Sequence, residues 1–468
     1  MSGTGGTPLY AKSETIHPRS VKGRFRRWKF ALLALLLSWW HLAPFLRWDR
    51  GAGAPDQAIL IDMTGRRAYF FALEIWPQEI YYLTGILVVS AIALFMISAL
   101  YGRVWCGFLC WQTIYTDLFV QIERLLIGDR ARRITFDRAP WSPGKLARKA
   151  AVHLIWLILA AACGVSFTLY FGNAPTMLPA LLTGREEAAV YGAVAVVGGL
   201  CYLLAGFARE QVCLYMCPYS RFQAAMFDEH SLIVGYEPWR GEPRGYWRRG
   251  QSFEGRGHCI DCRMCVAVCP TGIDIRDGSQ LGCIGCGLCI DACDAMMDRA
   301  GLPRGLVTWD SIASQAARAA GAPARHRLVR PRTLVYGAIL TVSVGLIGWS
   351  LSARTTTELT VLHERALLYV RLSDGSIRNG YVLKVQNMVR RDRWFDLSVQ
   401  GLDHPRWSVI GGGPPLEVGS DSVGSFTVFV TAEAASATGR RLPLTFVLRD
   451  RADGGEIRTD SLFVGPDR

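Results

Sequence analysis

Of the fourteen cysteines in the chain, twelve stand in four short motifs. Cys259, Cys262, Cys265 and Cys269 lie in "CIDCRMCVAVCP", spaced C-x2-C-x2-C-x3-C and closed by Pro270. Cys283, Cys286, Cys289 and Cys293 in "CIGCGLCIDAC" repeat that spacing, with Asp294 where the first run has proline. Such runs hold two 4Fe–4S clusters: short loops let three thiolates wrap one face of a cubane, and the fourth cysteine of each run reaches across to the other cluster. The expected partition is Cys259, Cys262, Cys265 and Cys293 on one cluster, and Cys269, Cys283, Cys286 and Cys289 on the second. Asp294 alters a turn and removes no ligand. Disulfides are disfavoured in a reducing compartment, and structural zinc uses two widely separated C-x-x-C pairs. The thiols are crowded because several must reach one compact inorganic core, and two adjacent cores make a short electron wire.

A second set comprises Cys106 and Cys110 in "VWCGFLCWQ" and Cys213 and Cys217 in "VCLYMCPY". Each pair is C-x3-C, which on an α-helix puts both thiols on one face. Pro218 is expected to end or kink the helix near Cys217. Each pair directly follows an apolar run, so the two can converge on one site. Thiolates suit soft ions, above all Cu(I). The same pairs could cycle between dithiol and disulfide, or be ordinary buried small residues. Matching positions in two runs weigh against the last reading. Cys163 and Cys201 lie singly inside apolar runs and read as packing residues. His41, His153 and His258 have no partner in sequence and read as structural. Met63, Met96, Met177 and Met216 form no methionine-rich copper box. With no G-x-G-x-x-G followed by an acid, no nucleotide or flavin site is expected. Trp39, Trp40, Trp105, Trp111 and Trp349 fall near the ends of apolar runs and read as interface anchors.

These motifs need elements to hold them. The chain has 468 residues, 50% hydrophobic and only 19% charged, with a mean hydropathy of +0.19. Five apolar runs, Phe30–Trp48, Tyr81–Gly102, Ala151–Gly172, Ala189–Ala208 and Leu334–Leu351, approach the roughly 20 residues a membrane span needs. The first carries His41 and Pro44 and is the weakest. It starts late, has a long core and lacks a small-x-small site, so it does not read as a cleaved signal peptide. Lys and Arg crowd "VKGRFRRWK" before the first run, the segment between the second and third, and the stretch after the fourth, whereas only Arg185 lies between the third and fourth. The excess places the N-terminus in the cytoplasm and, after five spans, the C-terminus in the periplasm of a two-membrane bacterium. The net charge of +13 follows largely from these flanks. No nucleic-acid-binding motif accompanies it, so nucleic acid is not an expected partner.

The expected organisation is a basic N-terminal tail (1–29), a four-span domain (30–208), a cytoplasmic insert (209–333) with its ferredoxin core at 255–300, a fifth span (334–351) and a periplasmic domain (352–468). The last contains no cysteine and alternates apolar with polar residues. "LLYVRL", "GYVLKVQN", "WFDLSVQG", "RWSVIG", "SFTVFVT", "LPLTFVLRD" and "DSLFVG" each read as a strand. "SDGS" and "GGGPP" read as turns between them. Seven short strands suggest an immunoglobulin-like sandwich. The fold class is thus a multi-domain membrane protein: a five-span α-helical bundle, a cytoplasmic dicluster ferredoxin insert and a C-terminal all-β immunoglobulin-like sandwich.

Taken together, four spans with two C-x3-C pairs, a dicluster insert, a fifth span and an outer sandwich resemble the cytochrome c oxidase accessory proteins called CcoG or FixG, nearly end to end. "YAKSETIHPRSVKGRFRRWK" at Tyr10–Lys29 and "LSDGSIRNGYVLKVQN" at Leu372–Asn387 carry the resemblance more specifically than the cysteine runs, which many redox proteins share. Related polyferredoxin subunits of nitrate and nitrous-oxide reductase systems share the insert and the membrane cysteines but lack this tail. The resemblance implies a protein of the bacterial inner (cytoplasmic) membrane that helps make cbb3-type cytochrome oxidase by reducing Cu(II) to Cu(I) for its copper–haem site. It implies two 4Fe–4S clusters on the eight cysteines and copper as the candidate ion at Cys106, Cys110, Cys213 and Cys217. The implied partners are a cytoplasmic electron donor, membrane lipid, and oxidase subunits or assembly factors. In the family the first pair often reads C-x3-C-P; here Trp111 replaces that proline, so no helix break is expected there. Two rival readings stand beside the cupric oxidoreductase: an electron conduit to a quinone or a periplasmic reductase, and a scaffold whose clusters only keep the insert folded.

Overall fold

The computed structural model describes residues 15–466 apart from 52, 249, 324–326, 365–367, 403–404, 411–412, 414 and 434–440. Residues 10–14 of the Tyr10–Lys29 stretch, Leu367 and much of the "GGGPP" turn lie outside the described residues. The chain divides into two compact units, Met1–Ile347 and Gly348–Arg468.

In the first unit α1 (Arg24–Leu42) leads into a small antiparallel sheet of β1 (Ile59–Asp62), β2 (Arg67–Phe70) and β3 (Leu73–Ile75). There follow α2 (Ile80–Tyr101), α3 (Trp111–Leu126), α4 (Arg130–Arg138), α5 (Pro143–Thr168), α6 (Ala174–Leu182), α7 (Ala188–Leu203) and α8 (Pro218–Met226). The insert adds β4 (Ile233–Tyr236), α9 (Pro238–Gly241), α10 (Met264–Val268), α11 (Leu288–Ala300), β5 (Val307–Asp310) and α12 (Ile312–Ala319), and α13 (Pro331–Ser352) closes the series. Among the described residues, five helical stretches are long and apolar enough to cross a membrane: Arg24–Phe45, Pro77–Tyr101, Pro143–Phe171, Ala188–Ala208 and Pro331–Ser352.

All five begin ahead of their apolar runs, and the two with the longest lead do so for local reasons. Helix α1 starts at Arg24 because its first free amides have an acceptor from outside: the buried Asp291 carboxylate of α11 accepts from Phe25 N at 3.2 Å and Arg26 N at 2.8 Å. Helix α5 starts at Pro143, with proline in the first turn and the Ser142 hydroxyl accepting from Lys145 N at 3.2 Å, a favoured helix start. The segment between the second and third runs is not a plain loop. It folds into α3 and α4, and α3 buries Tyr115 and Phe119 against Val152, Trp156 and Ala160 of α5. Its charged residues face the other way: Asp117 pairs with Arg26 at 2.9 Å, and Glu123 with Arg133 at 3.0 Å and Arg209 at 2.5 Å. Helices α5 and α7 touch through glycines. A Cβ on Gly164 would lie 2.5 Å from Val194 O, and one on Gly198 2.9 Å from Ala160 O. Small residues allow such close approach between membrane helices.

The insert is clasped at its base by β4 pairing antiparallel with β5, Val234 opposite Trp309. Between these strands lie both cysteine runs.

The second unit is a two-sheet sandwich. One sheet runs β10 (Arg406–Ile410), β12 (Ser422–Ala432), β8 (Ile377–Asn387), β6 (Thr357–His363), with β7 (Val370–Arg371) also pairing β8; the other runs β11 (Leu416–Val418), β9 (Arg393–Gln400), β13 (Leu442–Asp450), β14 (Glu456–Phe463). All seven expected strands are present, and β6 and β11 were not foreseen. Tyr381, Leu383, Phe395, Val428, Phe446 and Phe463 fill the core. Two asparagines of the Leu372–Asn387 stretch do specific work. Buried Asn379 donates to Val464 O and accepts from Val464 N, each at 2.9 Å, and Asn387 donates to Arg391 O at 2.8 Å and Gly419 O at 3.0 Å. The first pins the final strand; the second ties two loops.

Candidate functional site

The two cysteine runs fold as copies of one motif. In the first, Asp261 and Arg263 adopt left-handed φ of 48° and 52°; in the second, Gly285 and Gly287 at the equivalent places adopt 66° and 69°. Each loop then enters a helix, α10 at Met264 and α11 at Leu288, so Cys265 and Cys289 occupy matching first turns. Cys269 follows α10 directly, and Cys293 lies one turn beyond Cys289 on α11.

Two cavities result. One, with about 370 Å³ of empty space, is lined by Cys259, Cys262, Cys265 and Cys293 together with Tyr236 and Met297. The other, about 340 Å³, is lined by Cys269, Cys283, Cys286 and Cys289, with Cys265 shared at its edge and Ile273 and Ile275 as apolar wall. The fourth cysteine of each run thus stands among the first three of the other. None of the eight is joined in a disulfide. Burial pushes Cys265 up to about 11 and Cys283 to about 12, and drives Cys286, Cys289 and Cys293 upward too. Among the described residues no three His, Cys, Asp or Glu side chains close around a single ion. Four sulfurs spread around one largely apolar cavity, rather than closed on a point, fit a cubane cluster better than one tetrahedral ion.

The membrane cysteines also sit in matching turns, but not on one α-helical face. Trp105–Leu109 and Val212–Met216 are π turns, closed by Cys110 N to Trp105 O at 2.9 Å and Cys217 N to Val212 O at 2.8 Å. Cys110 and Cys217 then turn extended, with ψ of 128° and 111°, and each immediately precedes a new helix. The i, i+4 expectation fails because the wider turn adds a residue. The helix breaks at Trp111 as it does at Pro218, so proline is not what breaks it. Four residues before each pair the backbone kinks alike: Gly102 at φ 62°, ψ −133°, and Arg209 at φ 39°, ψ −114°. π turns are rare and often mark functional sites.

The four thiols share one electrostatic neighbourhood, which also contains Arg103. Burial, then Cys110, raises Cys106 to about 12, and burial, then Cys110, raises Cys213 to about 11. The Cys106 thiol donates to Oε1 of fully buried Gln223 at 3.3 Å. Buried Arg103 donates to Ser220 O at 2.5 Å, to Cys283 O at 3.1 Å and to Leu281 O, so one guanidinium ties the helix after the second pair to the second cluster loop. Gln112 Nε2 reaches Leu204 O at 2.8 Å and Arg209 O at 3.2 Å, locking the first half of the motif to the kink of the second.

The second cavity and the membrane thiols are in direct contact. A Cβ on Gly107, between Cys106 and Cys110, would lie 2.9 Å from Cys286 Cα and from Ile284 O. The loop glycines show the same closeness: a Cβ on Gly285 would meet the Arg103 carbonyl carbon at 3.1 Å, and one on Gly287 the Phe25 ring at 2.5 Å. Cys106 and Cys213 pack on Ile284, Cys286 and Leu288. In the first cavity Cys262 is the exposed thiol.

Sequence reasoning missed Arg103, Gln112, Gln223 and Asp291; the one legible signal was a glycine inside the first C-x3-C pair. The histidines are satisfied locally: His41 Nδ1 with Ser166 Oγ at 2.5 Å, His153 Nδ1 with Tyr202 OH at 2.9 Å, and His258 Nδ1 accepting from Arg240 Nε at 2.9 Å. Trp39 and Trp349 are exposed as anchors would be, whereas Trp40 and Trp111 pack ring against ring at 4.6 Å. Cys163 and Cys201, read singly as packing residues, belong to one core between α3, α5 and α7.

Comparison with known proteins gives three matches to family models. Residues 208–312 match a 4Fe–4S dicluster domain, 83–133 a 4Fe–4S binding domain, and 347–466 the immunoglobulin-like fold at the C-terminal of FixG. The nitrogen fixation protein FixG of Rhizobium meliloti is 42% identical over 459 residues, covering 91% of this chain and 87% of the relative. Proteins RdxA and RdxB of Cereibacter sphaeroides are 42% and 40% identical, covering 96% and 98% of this chain and 97% of each relative. A crystal structure of a FixG-related protein from Vibrio parahaemolyticus aligns with 24% of this chain and all of its own, at 20% identity and a TM-score of 0.22.

Proposed function

We propose that this chain, which belongs to the FixG family and is an iron–sulfur electron-transfer protein, delivers electrons to a metal ion held at Cys106, Cys110, Cys213 and Cys217, and that this substrate is Cu(II), reduced to Cu(I). The cluster ligands in this reading are Cys259, Cys262, Cys265 and Cys293 for one 4Fe–4S cluster, and Cys269, Cys283, Cys286 and Cys289 for the other. Bound there, the clusters supply one-electron transfer.

The chain's own residues set the direction. Exposed Cys262 marks the face where a soluble donor docks. The Cys283–Cys286 loop seats backbone to backbone on the Gly107 turn, and that seat is the observation that carries the reading. The four thiols favour Cu(I) over Cu(II), because thiolate is a soft ligand, so holding the ion there assists its reduction. Thiols raised by burial must lose protons to ligate, so binding releases protons. Arg103 supplies a fixed positive charge beside the sulfurs that become negative. The basic flanks support a cytoplasmic insert and a periplasmic sandwich in a bacterial inner membrane. The Cu(I) produced serves the copper–haem site of a cbb3-type oxidase, with the sandwich as the surface for oxidase subunits or assembly factors.

The test is anaerobic reduction of Cu(II) by the purified, donor-reduced chain. Cys213→Ser/Cys217→Ser should abolish it and leave cluster absorbance intact. Unchanged reduction by that variant refutes the acceptor site. Ready reduction of a quinone with indifference to Cu(II) replaces copper with a membrane electron acceptor.

A further inference from the structure

The first cysteine run holds a strained residue where its copy does not. Arg263 directly follows Cys262 and adopts a left-handed φ of 52°, a conformation that disfavours every residue but glycine; the matching place in the second run is Gly287 at 69°. Arg263 is exposed, so packing does not call for its side chain. Strain kept at an exposed position points to a use for that side chain outside its own loop.

Two further arginines meet the same cavity. Arg19 Nη1 donates to Met264 Sδ at 3.2 Å, and Arg299 Nη1 lies 3.9 Å from Met296 Sδ. Both arginines are exposed, and both methionines line the first cavity with Cys262 and Arg263. The backbone fixes Arg19 there, with its N–H donating to Ala267 O at 2.7 Å. A thioether is a weak acceptor, so each guanidinium keeps most of its N–H groups for another partner. The nearby acids are already engaged. Asp261 and Asp274 both pair with Arg276, at 2.5 and 2.6 Å, and Asp298 pairs with Arg304 at 2.7 Å. Among the described residues no carboxylate pairs with Arg19, Arg263 or Arg299, and the rim around Cys262 is left positive.

We propose that Arg19, Arg263 and Arg299 form the docking site, around the exposed Cys262 thiol, for a small acidic one-electron carrier protein. Carboxylates of the carrier pair with the three guanidiniums and bring its redox centre against Cys262, the exposed member of the eight cluster cysteines. The carrier loses one electron and the chain gains it; no bond is made or broken. Charged rims speed encounter more than they tighten the complex, which suits a partner that must leave after each electron. Electron-transfer encounters bury less than about 1,200 Å², so three arginines are a large share of one. The inference rests on the reading of this chain as an electron-transfer protein loaded at Cys262, and adds the chemistry of the donor.

The test is binding of the anaerobic, cluster-loaded, detergent-solubilised full-length chain to a plant-type 2Fe–2S ferredoxin and, separately, to a flavodoxin, all partners oxidised, by surface plasmon resonance. Binding should weaken as ionic strength rises through about 0.1 M, where the Debye length is about 10 Å. Arg19→Glu/Arg299→Glu should lower the association rate about tenfold or more at low salt, the scale of electrostatic steering, and flatten the salt dependence. Arg263→Gly should also weaken docking, yet leave the thermal midpoint at or above the native one, because glycine relieves the left-handed strain. Cluster absorbance, and the rate of reduction by methyl viologen radical, a cation the arginines repel, should stay at or above native values in both variants. The inference is overturned if neither acidic carrier binds, if binding ignores salt, or if a basic cytochrome c binds as tightly. It is equally overturned if the double reversal associates at the native rate, or if Arg263→Gly docks like the native chain. No copper enters these measurements. Failure of Cu(II) reduction at the membrane thiols therefore leaves this docking site standing, and failure of docking leaves that acceptor site standing.

Discussion

Gly107→Ala should uncouple the clusters from the membrane thiols without touching either. Gly107 carries no left-handed φ, so alanine is conformationally allowed there. The added methyl would lie 2.9 Å from Cys286 Cα, 2.9 Å from Ile284 O and 3.0 Å from Cys286 N, all of them backbone atoms that cannot rotate away. Carbon atoms rest at about 3.5–4.0 Å, so the turn and the loop must part by roughly 0.5–1 Å. Overpacking of this kind costs about 1–3 kcal/mol. A misplacement of about 1 Å in a catalytic arrangement can cost up to about a hundredfold in rate. The expected result is a Cu(II) reduction rate lowered about ten- to a hundredfold in anaerobic stopped flow, with iron content and cluster absorbance at native values. Gly144→Ala is the control: a Cβ there meets nothing within 4 Å, and alanine in a helix should stabilise by about 0.5–1 kcal/mol. Native rates and native stability in Gly107→Ala would refute the claim that the Cys286 loop seats on this turn.

Asp291→Ala should remove the cap that α11 lends to α1 and cost about 0.5–2 kcal/mol, read as a lower thermal midpoint, with Asp291→Asn losing less. Glu123→Gln should leave Arg133 and Arg209 buried without their counter-charge, at about 3–5 kcal/mol. Burial pushes the Glu123 carboxyl up, but Arg209 and then Arg133 outweigh it and hold it below the usual carboxylate range. Its stabilisation is therefore complete above about pH 4.3, the ordinary glutamate value, and fades as pH falls through the lowered folded value. Acid unfolding curves should show this dependence in the native chain and lose it in Glu123→Gln. Anaerobic preparations should contain about eight irons per chain, and stripping them should open residues 259–300 to limited proteolysis, since little but thiols and a thin apolar wall lines either cavity.

What the sequence revealed and what it hid divide along physical lines. Cys269 and Cys293 were expected to cross because ligand spacing is local, and each lines the cavity that holds the first three cysteines of the other run. The five long apolar helices were legible as composition, yet the start of α1 was not, because Asp291 caps it from 266 residues away. Helix α3 was hidden by its charges, which pair with Arg26, Arg133 and Arg209 from other elements. The C-x3-C spacing suggested an α-helical face, but spacing cannot separate a π turn from an α turn. Cys163 and Cys201 looked solitary because it is two glycines, letting α5 and α7 touch, that bring them into one packed core.

The distribution of glycine over the two cluster loops carries the functional polarity of the insert. Both loops need left-handed residues at the same two places, and for residues other than glycine this costs about 1–2 kcal/mol each. The first loop accepts that cost with Asp261 and Arg263. It can do so because Asp261 accepts from Arg276 at 2.5 Å and Arg263 lines the cavity beside exposed Cys262. The second loop uses Gly285 and Gly287, and conformational ease is only part of the reason. The space where their side chains would stand holds the Arg103 backbone and the Phe25 ring. A fold that needed only two clusters could carry either residue set in either loop. Glycine is confined to the loop that lies against the helical bundle, where Gly107 is equally indispensable. Close backbone packing between the second loop and the cysteine turns is therefore what distinguishes the two halves of an otherwise repeated motif, and it orders the thiols from exposed Cys262, through Cys286, to Cys106.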